Sequence, residues 1–309
     1  MISQNMLRKY PITKNVLEYI NKNFILFDRS YNYIIESFDE EYLSFSEELL
    51  TILKRKYETE QGFSNCIKAF IRLSIDVLIL QKKLNRDGKY SCSSFEDANK
   101  NVYQAGKMNN YLDGLLLSQI FWPNHYRFRE YFITLSTLTT PSSEILDAPS
   151  GPGIYSYYIA KFFPYKNFYS IDISPFSKSC TESLLKHSQV DTDRITLKLT
   201  NIYDLNNEQK FDLIACGELL EHIQDPDELL NKLYILLKDK GTLFLTTAIY
   251  AAAEDHIYLF NNVNEVREIL EKRFHIASEL ILPTSLEPYS PDMNKVPINY
   301  ACKLVKMEK

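Results

Sequence analysis

EILDAPSGPGIYS, residues 144–156, decides the fold. Its apolar opening ends at Asp147, a turn holding Gly151 and Gly153 follows, and YSYYIAKFF (155–163) then takes up a helical period. A strand that passes through a glycine-bearing turn straight into a helix aims backbone N–H groups at whatever binds there, with little side-chain bulk in the way. A plain tight turn has the same local pattern, so the loop gains meaning only from its surroundings. Those surroundings repeat the theme. EILDA (144–148), NFYSIDI (167–173), RITLKLT (194–200), KFDLIAC (210–216) and GTLFLTT (241–247) read as strands separated by helical segments, and FHIASELIL (274–282) and NYACKLVK (299–306) close the chain as an antiparallel pair. This alternation predicts an α/β fold, a mostly parallel sheet covered on both faces with ligands at the carboxyl ends of its strands.

Upstream the texture changes. Apolar positions recur every three or four residues in VLEYINKNFILF (16–27), EELLTILKRKY (47–57) and CIKAFIRLSIDVLILQKKL (66–84), with Ser64 as a candidate cap and Gly88 as a turn after the last of them. MNNYLDGLLLSQIFWPNHYRFREYF (108–132) reads as a helix broken next to Trp122, because Pro123 lacks a backbone donor and strains the turn before it. TTPSS (139–143) is the one stretch with linker composition. The expected division is an all-α unit over 1–138 and an α/β unit over 139–309.

Composition narrows the partners. Thirty-five Lys and Arg against 40 Asp and Glu give a net charge of -5, so no basic field argues for nucleic acid or an anionic membrane. The acidic run FDEEYLSFSEE (38–48) reads as a solvated face. Five scattered cysteines, an odd number with no Cys-x-x-Cys, argue against both a disulfide framework and a cysteine zinc site. No segment approaches the roughly 18 apolar residues that span a bilayer, and the first residues lack an apolar leader, so a cytoplasmic location without a membrane partner is expected.

Nineteen residues after Gly153, the second strand ends in Asp172, placed to accept hydrogen bonds from both hydroxyls of a ribose. The pair of signals fits a dinucleotide or another adenosine-bearing cofactor. With LLEHIQDP (219–226) following the fourth strand, the order of signals resembles the class I S-adenosylmethionine-dependent methyltransferases: LDAPSGPG matches their first loop, Asp172 their ribose-binding acid and LLEHIQDP the segment after strand four. The resemblance runs over residues 144–309. It implies a Rossmann-like sheet of seven strands, the last antiparallel, preceded here by an all-α N-terminal domain. It further implies S-adenosylmethionine as cofactor, with S-adenosylhomocysteine as product, held by Asp147, Gly151, Gly153 and Asp172, and with Ile202, Glu218 and His222 nearby. Two departures stand out. Pro149 takes a position that is often glycine, and the family's adenine-binding acid falls at Asn201, with Asp204 as the alternative.

Methyl transfer from a sulfonium chiefly requires alignment and exclusion of water; a base is needed only when the nucleophile must lose a proton. His256, in AAAEDHIYLF (251–260) after strand five, is the first candidate base, and His125, on the break beside Trp122 and Tyr126, the second. Tyr111, Asp113, Trp122 and Tyr126 are expected to line a substrate pocket. Glu218 and His222, four apart, would share a helix face and suggest a metal pair, but no third ligand is evident in the sequence and none is expected to bind. His187 and His275 look peripheral. The expected function is methylation of an O, N or C nucleophile on a small molecule of specialised metabolism, under a helical lid that could also form a homodimer. A non-catalytic cofactor-binding scaffold, a protein or tRNA methyltransferase, and a nicotinamide-dependent oxidoreductase are the alternatives.

Overall fold

Period-two and period-3.6 patterns separate in space as they do in sequence. The computed structural model describes residues 1–307, and among these the first 138 are helical: α1 (Gln4–Lys9), α2 (Pro11–Asn23), α3 (Asp28–Ser37), α4 (Glu40–Tyr57), α5 (Glu60–Asp87), α6 (Phe95–Asn101), α7 (Ala105–Phe121) and α8 (Pro123–Thr134). Trp122 is extended and caps α7, and Pro123 opens α8, so the expected break falls where the missing N–H dictates. Two expectations are corrected. The run 16–27 is not one helix: α2 stops at Asn23 and a 3₁₀ turn, Ile25–Phe27, exposes Ile25 and Leu26. The long helix α5 is capped by Thr59, whose hydroxyl oxygen accepts from the N–H of Gly62, and Ser64 lies inside it. At its other end Gly88 (φ 67°) supplies the left-handed turn.

The second half alternates: β1 (Glu144–Asp147), α9 (Ile154–Phe162), β2 (Asn167–Asp172), α10 (Pro175–Ser188), β3 (Ile195–Leu199), β4 (Phe211–Cys216), α11 (Pro226–Leu236), β5 (Leu237–Ile249), α12 (Val263–Leu270), β6 (Phe274–Pro283) and β7 (Ile298–Lys306). They form one sheet in the order β3-β2-β1-β4-β5-β7-β6, with β1 to β5 parallel and β7 antiparallel to both neighbours. β5 is longer than GTLFLTT because it begins at Leu237, opposite Phe211, and passes an irregularity at Lys240 (φ 62°).

The edge strands β3 and β6 are partly exposed, while the central strands β1, β4 and β5 bury both of their faces, which belong to different cores. One packs Leu146, Ile214 and Leu243 on α11 and α12. The other packs Ile145, Leu213 and Phe244 with α9 and α10, and this core continues without interruption into Phe45, Phe70, Phe121 and Phe132 of the helical half. The two halves thus share one apolar interior. The five cysteines are buried free thiols. No helix among the described residues is long and apolar enough to cross a membrane.

Candidate active site

The carboxyl ends of the parallel strands open into a cavity of about 530 Å³, within the ordinary size range of small-molecule sites. The β1–α9 loop forms one wall through Pro149, Ser150, Gly151 and Pro152, with Asp172 at the end of β2 beside it. Gly151 has φ 50° and an added Cβ there would meet nothing within 4 Å, so open space lies over its backbone. Asp172 Oδ2 accepts from the Gly151 N–H at 2.9 Å and Oδ1 from the Ser174 N–H at 2.8 Å. These bonds hold the Asp172 carboxylate at the cavity edge, where it can also accept from a bound ligand. The peptide before Pro149 is cis. Gly153 (φ 89°) does not reach the cavity; it lets the loop press on α10, where an added Cβ would sit 2.8 Å from Thr181 Cα.

Asp147 is fully buried beneath the loop rather than on the wall. Its Oδ2 accepts from the Ser156 hydroxyl, which in turn faces Ser170, while Oδ1 has no partner. Burial, with Asp172 nearby, pushes its pKa up to about 7. Because the folded value lies above the unfolded one, the folded state binds more protons in between, and stability falls as pH rises from about 4 to 7. The D147N variant should lose less stability than the parent over that interval, by up to about 4 kcal/mol; chemical denaturation at pH 4 and pH 7 measures it, and equal pH slopes would refute the assignment.

The loop after β5 carries the opposite wall. Asp255 is buried and accepts from Tyr103 and Tyr111, each at 3.1 Å, while the Tyr90 hydroxyl donates to the Ala251 carbonyl. Three tyrosines of the helical half thereby fasten this loop. Tyr103 and Asp255 had no local signal in the sequence, because the partners lie 152 residues apart. His256 is 7% exposed and lines the cavity with His222 and Glu218. Burial lowers His256 and His125 to about 4, so both rings are neutral near pH 7. His125 also reaches the cavity, its Nδ1 2.9 Å from the Ser118 hydroxyl.

Several expected contacts fall elsewhere. Glu218 and His222 share no helix: Glu218 is left-handed (φ 48°), and a 3₁₀ turn, Leu220–His222, follows it. Desolvation raises the carboxyl pKa of both Glu218 and Glu221. Tyr111 and Trp122 line the cavity, but Asp113 is turned away into a buried pair with Lys56 at 3.0 Å and Tyr126 is packed among Phe38, Tyr42 and Phe45. The break at Trp122 rotates one helix face against the next, which spacing alone does not reveal. Asn201 is exposed and caps the 3₁₀ turn Ile202–Asp204, accepting from the Tyr203 N–H, and Ile202 joins the core on the far face; neither is part of the cavity lining. Asp225 caps α11 and Pro226 starts it, a local reason for the Asp-Pro pair.

Residues 146–243 match the family described as a methyltransferase domain. The chain is 27% identical to a ubiquinone biosynthesis O-methyltransferase of Coxiella burnetii over 154 residues, 50% of this chain and 63% of that protein. A protein of the same name from Xanthomonas campestris pv. campestris is 28% identical over 148 residues, 47% of this chain and 59% of that one. The match thus spans less than two thirds of these relatives. Among solved structures, the N-methyltransferase NodS from Bradyrhizobium japonicum WM9 in complex with S-adenosyl-L-homocysteine superposes with a TM-score of 0.46 at 17% identity, covering 60% of this chain and 89% of that one. The match over residues 146–243, with the strand order and the glycine loop opening on the cavity, gives this chain a methyltransferase domain, for which S-adenosylmethionine is the cofactor.

Proposed function

We propose that the protein methylates a small, largely apolar molecule of specialised metabolism, in the cytoplasm and as a homodimer formed through the first helices. The observation that carries this reading is one continuous cavity joining the glycine loop and Asp172 to a wall built from α5, α7 and α8. Leu73, Val77, Leu112 and Phe128 make that wall apolar, and Leu26, Leu78 and Phe95 leave its rim apolar and exposed. An enclosed apolar space suits a small acceptor better than a polymer. Both curated relatives are named O-methyltransferases, which favours oxygen as the accepting atom over nitrogen or carbon.

The cofactor supplies a methyl group on a sulfonium, a good leaving group. Gly151 and Asp172 hold the adenosine end, and Tyr111 and Trp122 position the acceptor. His256, with His125 in reserve, is the group proposed to meet the acceptor's exchangeable proton. An imidazole lowered to about 4 accepts such a proton weakly, so its surroundings must contribute. The test incubates the purified protein and methyl-labelled S-adenosylmethionine with a cell extract separated by mass. Label in low-mass product is expected. Label on protein or RNA would overturn the small-molecule reading, and intact S-adenosylhomocysteine binding with no label anywhere would favour a scaffold.

A further inference from the structure

Three ligand-type groups meet on the cavity wall. Glu221, His222 and His256 place one carboxylate oxygen and two imidazole nitrogens within 4.8 Å of one another. The sequence offers Glu218 and His222 and no third partner; the third arrives from the β5 loop, 34 positions further along the chain from His222.

The hydrogen bonds around these groups fix which atoms are free. His256 Nδ1 lies 2.8 Å from the Ala251 carbonyl and His222 Nδ1 lies 3.0 Å from the Asp255 carbonyl. A carbonyl only accepts, so each Nδ1 carries the hydrogen and each Nε2 presents a bare lone pair. This is the arrangement that orients histidine ligands around metals, with the outer nitrogen tied to a carbonyl. Asp255, whose backbone holds His222, is itself anchored by Tyr103 and Tyr111. Glu221 is fully buried; its Oε2 accepts from the Thr247 hydroxyl at 2.7 Å, and its Oε1 has no hydrogen-bond partner. That oxygen stands 3.9 Å from His222 Nε2, and the two imidazole rings are perpendicular with centroids 4.8 Å apart. Glu218 Oε1 is a second buried oxygen without a partner.

Two imidazole nitrogens and a carboxylate oxygen gathered at this separation form a ligand set suited to a cation. We propose that Glu221, His222 and His256, with Glu218 beside them, hold one divalent transition-metal cation on the cavity wall. Two imidazoles and a carboxylate select manganese, iron, cobalt or zinc over calcium and magnesium, which prefer all-oxygen shells. Bonds of about 2.1 Å require the three groups to draw in by up to about 1.4 Å from their present spacing. His222, His256 and Glu218 line the cavity, so the remaining coordination positions face it.

The consequence for chemistry rests on the methyl-transfer reading. An acceptor hydroxyl bound at an open position loses its proton more readily, and the proton leaves to solvent through the cavity mouth. The oxygen's electron pair then forms the O–C bond as the C–S pair returns to sulfur. This binds the site to an oxygen acceptor; bound through Nε2, His256 serves as a ligand, and the proton-accepting role given to it above passes to solvent.

The test strips the full chain with a chelator and titrates Co²⁺, reading its visible absorption, with S-adenosylhomocysteine affinity measured separately by calorimetry. One cobalt per chain with a histidine-type spectrum is expected. His256→Gln and Glu221→Gln should each weaken cobalt by at least about tenfold while S-adenosylhomocysteine still binds, and His187→Gln, far from the cavity, should change neither. Absence of saturable cobalt binding, or binding that His256→Gln and Glu221→Gln leave unchanged in protein that still binds S-adenosylhomocysteine, overturns the site. Cobalt binding without S-adenosylhomocysteine binding would instead overturn the methyl-transfer reading and leave the metal site standing.

Discussion

Replacing Asp172 with alanine should weaken binding of S-adenosylmethionine and S-adenosylhomocysteine by roughly 30- to 150-fold, the equivalent of about 2–3 kcal/mol. Two effects combine. The variant loses the acceptor proposed for the ribose hydroxyls, and the N–H groups of Gly151 and Ser174 lose the carboxylate that now fixes the loop. Because these bonds are charge-assisted, the D172N variant, which keeps one acceptor oxygen and no charge, should fall between parent and alanine. Calorimetric titration decides the matter: an affinity unchanged in the alanine variant removes Asp172 from the ribose role. Thermal stability without ligand should change far less, since Asp172 lies at the cavity and its burial already raises its pKa.

The largest effect on stability is expected at Gly153. Its φ of 89° suits glycine alone, and a side chain would begin 2.8 Å from Thr181 Cα, a backbone atom of α10 that cannot step aside. Gly153→Val should therefore cost about 3–5 kcal/mol, adding backbone strain to overpacking, and lower the melting temperature by roughly 6–15 °C. Gly151→Ala is the contrast. Its Cβ would meet no protein atom, so only the backbone term applies there, while the space it enters is the space assigned to cofactor. A Gly153→Val protein melting within a degree or so of the parent would show that α10 is free to shift.

The sheet was legible because buried parallel strands are short, continuous apolar runs: ILD, FYSID and DLIAC need no partner to be read. The break at Trp122 was legible for a covalent reason, the missing N–H of Pro123. The start of α5 was not: Ser64 stood ahead of the apolar run, while the helix begins earlier, where the hydroxyl of Thr59 accepts from the Gly62 N–H. Pro149, Gly151 and Asp172 reach the cavity because a strand end and the turn after it are one local unit. Asp113 and Tyr126 do not, because their direction depends on how α7 and α8 are set around the break. Glu218 and His222 were paired by helical spacing, yet a left-handed residue and a 3₁₀ turn bring His222 to Glu221 and His256 instead. Such a cluster depends on where a distant loop is pinned, and Tyr90, Tyr103 and Tyr111 do that pinning; of the three only Tyr111 was singled out in the sequence, and for a pocket wall rather than for this bond.

The interior common to the helices and the sheet bears on how this protein can diversify. Exchanging the first 138 residues wholesale by recombination would strand Tyr158 and Leu184 against an unmatched surface. Keeping the helices together with the sheet they cover, rather than exchanging them, preserves that interior.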